Sequence, residues 1–405
     1  MLKPISILLC LLITGSALLC GCNSGEESET EPATQATTAP ATVAPTTAAP
    51  ATKDSADGQG YNYVAIKKKS GEIISQFDKI VEAKKFNGTI YMKLGNDFEY
   101  LSSKGAANSN KHIDNSINTR FYIGGITKQF TAAAVLMLSE KKKLSLDDTL
   151  DKYFPDYEAG GKVTVKQLLN MTSGINTYVL HNDITTPSNY LTGDLDEKVK
   201  EDNSAKENKE LILDWILSQK LIFAPGTKFD ESESNYFLLG EIIEQASGMS
   251  YADYLKTAMF APLGMGSSNF EPDEKMALAY DKAANTKSLN YKGVGYSAFG
   301  MISSVSDLLK WTDGLLNNQV LAPASFKLMF SNQVSGIKDN KISYGFGVKM
   351  NYNTAFINGK YDAFGSILSY NTDKSEIFVS LTNYTASDNK AVRDSFKKVL
   401  QKYSA

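Results

Sequence analysis

Cysteine, histidine and arginine are scarce in this chain of 405 residues. Its three cysteines, Cys10, Cys20 and Cys22, all precede residue 23, so the remainder cannot form a disulfide or supply a cysteine nucleophile. The two histidines, His112 and His181, lack the close spacing of zinc ligands, and no metal or other cofactor is expected. Arginine occurs only twice, and the net charge of −3 leaves no basic stripe, so nucleic acid is not an expected partner.

A long apolar run occurs near the start of the chain, between residues 5 and 19. It is shorter than the ~20 apolar residues of a membrane-spanning helix, so it predicts a secretory signal over residues 1–21. The run ends in Leu19-Cys20-Gly21-Cys22, which resembles the lipobox of bacterial lipoproteins. The resemblance implies lipidation of Cys22 and an extracytoplasmic protein anchored to the bacterial cell membrane. A plain cleaved signal is the alternative.

Residues 22–60 carry almost no apolar side chains beyond alanine and are rich in Ala, Thr and Pro. Such a segment cannot bury enough apolar surface to offset the entropy cost of ordering, so it predicts a disordered linker behind the lipidated cysteine. Residues 61–405 then form the folded domain.

Periodic patterns in the folded part predict a mixed α/β (α+β) domain. Helix-rich sequence between about 125 and 330 interrupts the strand patterns, which indicates a helical lobe inserted into a sheet lobe. The clearest segments are helices at 73–82, 127–140 and 388–402, and strands at 88–92, 98–101, 364–370 and 376–383.

A set of short motifs resembles the serine β-lactamase-like proteins, which include class C β-lactamases and D-alanyl-D-alanine carboxypeptidases. The resemblance covers residues 61–402 and implies the β-lactamase/transpeptidase-like fold, an antiparallel sheet flanked by helices with an inserted helical lobe. The motifs are FYIGGITKQFTA at 121–132, KLSLDD at 143–148, VTVKQLL at 163–169, TSGI at 172–175, PGTKF at 225–229, YFLLG at 236–240, PLGM at 262–265, GMISS at 300–304 and YGFG at 344–347.

The family's catalytic positions are altered in this sequence. The nucleophilic serine, three residues before the family lysine, is replaced by Gly125, while the lysine is present as Lys128. The Tyr-x-Asn motif aligns with Glu231 and Glu233, separated by one serine. The third motif, Lys-Thr-Gly or His-x-Gly, aligns with a segment that begins at Ile357 and ends at Gly359, which retains only the glycine.

These replacements predict a domain without acyl-enzyme chemistry, since a glycine cannot attack a carbonyl. Gly125, Lys128, Glu231 and Glu233 are then candidate binding residues rather than catalytic ones. Three interpretations stay open: a buried ion pair around Lys128, a pocket of local charge −1 for an amine-bearing peptide, and rewired acid/base chemistry by the two carboxylates.

The resemblance implies cell-wall (peptidoglycan) peptides or an envelope protein as partners, besides the membrane reached through Cys22. An active serine hydrolase (carboxypeptidase, β-lactamase or esterase) and a structural envelope protein are the alternative functions.

Overall fold

The computed structural model describes residues 61–180, 191–281, 292–338 and 341–404. The predicted signal peptide (1–21), the lipidation site Cys22 and the linker (22–60) lie outside the described residues. Among those described, no helix combines the length and the apolar character needed to cross a membrane.

Strands and helices alternate in blocks along the chain. The strands are β1 (Gly88–Leu94), β2 (Phe98–Lys104), β3 (Ala106–Asn108), β4 (Ile113–Asp114), β5 (Phe121–Tyr122), β6 (Ile302–Ser303), β7 (Val334–Lys338), β8 (Ile342–Tyr344), β9 (Lys349–Asn351), β10 (Thr354–Tyr361), β11 (Phe364–Asn371) and β12 (Glu376–Thr382). The helices are α1 (Tyr63–Lys68), α2 (Ser70–Ala83), α3 (Thr127–Glu140), α4 (Val165–Leu169), α5 (Leu195–Lys198), α6 (Ala205–Ser218), α7 (Glu233–Ser247), α8 (Tyr251–Leu255), α9 (Ala261–Leu263), α10 (Tyr296–Phe299), α11 (Val305–Leu316), α12 (Pro323–Phe330) and α13 (Asn389–Ser404).

The main sheet of the described residues has eight antiparallel strands in the order β2-β1-β12-β11-β10-β9-β8-β7. Strand β1 pairs with both β2 and β12, so segments from opposite ends of the domain lie side by side. The edge formed by β7 to β10 follows the helical region in sequence, and β10 is the strand that reaches the candidate site.

One face of the sheet is covered by helices from both ends of the domain. Apolar residues of α2 recur every four positions at Ile73, Phe77 and Val81, which places them on one buried face. Helix α13 presents Phe396 to this face, and its ring stacks on that of Phe77 with centroids 3.8 Å apart.

Helix α3 lies in the core against the opposite face. It is buried on every side, which suits its run of alanines and explains why its apolar pattern has little directional bias. The indole of Trp311 on α11 stacks on Phe130 of α3 with ring centroids 4.0 Å apart. Packing from all directions fixes the position of the first turn of α3, where the candidate site begins.

The predicted fold class is confirmed: an antiparallel sheet lies between helices in a β-lactamase-like arrangement. The predicted helix at 127–140 matches α3 residue for residue, and the other predicted helices and strands agree with the structure to within a few residues at their ends. The proposed limits of the domain and of the helical lobe stay predictions.

Candidate functional site

A tight turn before α3 carries the position of the family nucleophile. Strand β5 pairs with β6 and leads into a single 3-10 turn, Gly124–Ile126, from which α3 starts. A Cβ atom placed on Gly125 would lie 3.5 Å from Lys128 Nζ and 3.1 Å from the carbonyl oxygen of Asn358. A side chain at this position would therefore point towards the lysine amine, as the alignment of the first motif predicts.

Lys128 forms a buried ion pair with Glu233. Its Nζ lies 2.8 Å from Oε1 and 2.6 Å from Oε2 of the carboxylate, and the two side chains are 7% and 15% exposed. Glu233 is the first residue of α7, where the helix dipole favours a negative charge, and its N–H donates to Thr177 Oγ1. Within this pair the lysine nitrogen donates a hydrogen bond to Oε1, so a carboxylate already engages the amine beside residue 125.

The other glutamate of this segment has a different partner. Glu231 Oε1 lies 2.5 Å from Nζ of Lys349 on β9, and these side chains are 40% and 31% exposed. The sheet thus places a second lysine beside Glu231, which the alignment of the motifs does not indicate. Two lysines now face two glutamates, so the expected local charge of −1 becomes zero, which weakens the hypothesis of a pocket for an amine-bearing peptide at this point.

Strand β10 forms the opposite wall of the site. A Cβ on Gly359 would lie 2.1 Å from the carbonyl oxygen of Ile123 and 2.9 Å from the Gly125 nitrogen, so only glycine allows the strand to approach the turn this closely. Ser366 on β11 donates a hydrogen bond of 2.7 Å to the same Ile123 carbonyl. Ile357 is buried in the core at 6% exposure, so the first position of the third motif offers neither ammonium nor imidazole.

The hydroxyl groups of Thr127 and Tyr178 are engaged in other hydrogen bonds. Thr127 is fully buried; its Oγ1 donates to the Gly124 carbonyl at 2.7 Å and accepts from the Met301 N–H at 3.2 Å. Tyr178 donates to the Val294 carbonyl at 2.6 Å, and burial followed by the charge of Glu233 raises the pKa of this phenol well above its ordinary value. Neither group is available as a substitute nucleophile or base.

The comparisons with known proteins agree with this geometry. The family model described as Beta-lactamase matches residues 77–401. This chain belongs to the beta-lactamase family. That membership accounts for the position of Lys128, the second residue of α3, with its amine beside residue 125.

Two relatives are similar to this chain in sequence. Penicillin-binding protein 4* of Bacillus subtilis is 30% identical over 292 residues, which cover 67% of this chain and 61% of the relative. Protein flp of Staphylococcus aureus is 25% identical over 314 residues, 73% of this chain and 58% of the relative. This chain therefore spans less than two thirds of the length of both relatives.

A solved structure shares the beta-lactamase-type architecture. The penicillin-binding protein from Bacillus halodurans superimposes with a TM-score of 0.68 at 25% identity, covering 80% of this chain and 98% of that one. The likeness extends over the sheet and the helical region together.

The structure thus brings together Gly125, Lys128, Glu233 and Gly359, whereas Glu231 faces β9 and Ile357 lies in the core. Sequence reasoning missed Lys349, because its partnership depends on how β9 lies beside the start of α7. It also missed Thr177, whose hydroxyl accepts the Glu233 N–H. The TSGI motif ends two residues before Thr177 and was the only sequence feature that placed this segment near the site.

Proposed function

We propose that this protein is a lipid-anchored component of the bacterial cell envelope whose beta-lactamase-family domain binds without acyl-enzyme turnover. The observation that carries the proposal is the pair formed by Gly125 and Lys128. The nucleophile position has no side chain, and the lysine that would activate a nucleophile is held by a carboxylate 2.6 Å away. Gly125, Lys128, Glu231 and Glu233 then belong to a binding surface.

In this proposal, the protein is attached to the membrane through a lipid on Cys22. The apolar run before it, the small residue at Gly21 and the Ala/Thr/Pro-rich linker behind it support a lipoprotein that projects from the membrane. A diacylated cysteine supplies two chains, which gives stable attachment where one chain would be marginal.

The proposed ligands are cell-wall peptides or an envelope protein. The name of the Bacillus subtilis relative, a penicillin-binding protein, supports this ligand class by analogy of family. The wall formed by β10 lacks a cation at Ile357, so a ligand would be held by backbone groups of the turn and of the strand, together with the two glutamates.

Acylation and binding can be measured on the same samples. The purified protein is incubated with a fluorescent penicillin, a chromogenic ester and a muropeptide digest, and mass spectra of protein and substrates are recorded. We expect an unmodified protein, unchanged substrates and retention of muropeptides in equilibrium dialysis. An active class C β-lactamase in parallel samples shows that the probes are reactive.

The Gly125→Ser variant separates a missing nucleophile from an altered site. We expect no penicillin adduct on this variant, because Lys128 still donates to Glu233 and Ile357 still replaces the family cation. An adduct on the unmodified sequence would establish the serine-hydrolase alternative and overturn the proposal. An adduct on the variant alone would contradict the part of the proposal that rests on Lys128, and absence of muropeptide retention would favour a structural envelope protein.

A further inference from the structure

A cavity lies towards the end of α7 that is opposite Glu233. It has a volume of about 640 Å³ and is bounded by α6, the C-terminal half of α7, the start of α8 and the residues around α10. Its described lining includes Glu241 and Glu244, two to three helical turns beyond Glu233, a distance of ~12–17 Å along α7. Its volume falls in the range of about 300–1,000 Å³ typical of small-molecule pockets.

Aromatic rings form much of the wall of this cavity. Tyr122 and Tyr361 meet edge to face with centroids 4.5 Å apart, and Tyr251 contacts the rings of Phe270 and Tyr296 at 5.1 and 5.2 Å. Their faces carry the negative end of the ring quadrupole, so they attract cations as well as apolar groups.

One lysine faces two carboxylates in the interior. Nζ of Lys209 lies 2.8 Å from Glu241 and 2.7 Å from Glu244, and 4.4 Å from the ring centroid of Tyr296. The second oxygen of Glu244 accepts the N–H of Tyr251 at 2.9 Å. One ammonium against two carboxylates gives this interior cluster a formal charge of −1.

The described residues at the exposed rim do not cancel that charge. Those among them that are charged are balanced, two of each sign: Lys206, Lys292, Glu210 and Glu271. Burial, and then the nearby Glu244, raise the pKa of Glu241 against the opposing effect of Lys209. Burial followed by both glutamates also raises the pKa of Tyr296, as expected where negative potential exceeds positive.

We propose that this cavity binds a small organic monocation, an amine or quaternary ammonium group carried on an apolar or aromatic body. The ammonium group of Lys209 lies over the ring of Tyr296 and between two carboxylates, and we expect the ligand cation to make contacts of the same kind. A further cation would neutralise the excess charge while its apolar body fills the space between the rings. The inference does not depend on the function proposed above, because the Gly125–Lys128 site lies at the other end of α7.

Three probes of one shape and different charge test the proposal on the intact protein. Phenethylamine, 2-phenylethanol and 3-phenylpropionate are titrated at pH 7 by calorimetry and ligand-observed NMR. We expect the amine to bind at least tenfold more tightly than the alcohol, and the carboxylate not to bind. Glu241→Gln should weaken amine binding at least fivefold without changing binding of the alcohol.

Two further variants separate the cavity from effects on folding. Leu213→Trp on α6 keeps every charge but fills the cavity from its wall, and should abolish binding of the amine and the alcohol together. Glu82→Gln, an exposed glutamate on α2 across the sheet, is the matched control and should change nothing. Equal affinity for amine and alcohol, failure of the amine to bind, or amine binding that survives Leu213→Trp would each overturn the proposal. If Glu241→Gln loses its folded circular dichroism spectrum, the probe series and Leu213→Trp decide the question, and muropeptide retention reports separately on the other site.

Discussion

At the residue scale, two glutamates only two positions apart lie in different electrostatic environments. Glu233 and its partner Lys128 are nearly removed from water, whereas the pair of Glu231 with Lys349 is about one third exposed. An ion pair at the surface is screened and contributes little, while a buried charge that loses its partner keeps its desolvation cost. Neighbouring carboxylates in the same segment should therefore differ in their effect on stability.

Substitution of each glutamate by glutamine measures this difference. Glu233→Gln should lower the free energy of unfolding by about 3 kcal/mol, because Lys128 is left as a buried charge without a counterion. The matched control, Glu231→Gln, should change it by less than about 1 kcal/mol. Urea unfolding followed by circular dichroism gives both values, and equal losses would contradict the assigned difference in burial.

At the scale of elements, the site depends on a close approach between β10 and the turn before α3. The Gly359 backbone lies where any Cβ would overlap the Ile123 carbonyl, at 2.1 Å. Gly124 reinforces the approach from the other side: its φ is +52°, and a Cβ there would lie 2.6 Å from the backbone nitrogen of Lys360. Glycines in both elements therefore set how closely β10 and the turn approach each other.

An alanine scan of glycines tests this contact. Gly359→Ala should destabilise the fold by about 3 kcal/mol, since the obstacle is backbone and cannot rotate away. Gly71→Ala in the first turn of α2, where nothing lies within 4 Å of the added carbon, should instead stabilise it by about 0.5 kcal/mol. Thermal unfolding of the two variants should shift in opposite directions, and a neutral Gly359→Ala would show that β10 does not lie against the turn.

At the scale of the whole molecule, the two ends of the domain complete one layer. Helices α2 and α13 cover the same face of the sheet, and β1 pairs with β12 beneath them. The stacked rings of Phe77 and Phe396 lie in the centre of this layer, and both are fully buried. Helix α13 completes the helical layer over this face of the sheet, so its contact with α2 should stabilise the domain as a whole.

Removal of the Phe396 ring should lower the free energy of unfolding of the whole domain. Phe396→Ala should cost about 4 kcal/mol of unfolding free energy through lost burial and the cavity left beside Phe77. Leu101→Ala on β2, at a side chain that is 50% exposed, should change it by less than about 0.5 kcal/mol. Guanidinium unfolding monitored by tyrosine fluorescence and circular dichroism should show one transition, displaced for Phe396→Ala only.

Much of this arrangement was predictable because it depends on local pattern. The spacing of apolar residues located α2 and α13, and the family motif at 121–132 located Gly125 and Lys128 at the start of α3. The partner of Lys128 could be narrowed only to Glu231 or Glu233. The segment before α7 has no periodic pattern from which the direction of a side chain could be predicted. The pairing of Glu231 with Lys349 joins residues more than 100 positions apart, and the cavity around Lys209 gathers six separate segments between residues 122 and 361. No local pattern connects these segments.

The fold class, the position of the core helix and the loss of the family nucleophile could be predicted from the amino-acid sequence, because each follows from residue identity or short-range spacing. The three-dimensional arrangement was needed to show that Glu233 pairs with Lys128, how closely Gly359 approaches the turn, and that aromatic rings and carboxylates line a cavity beside α7. Ion pairs, backbone contacts and cavities depend on distances of a few ångströms between atoms that are remote along the chain.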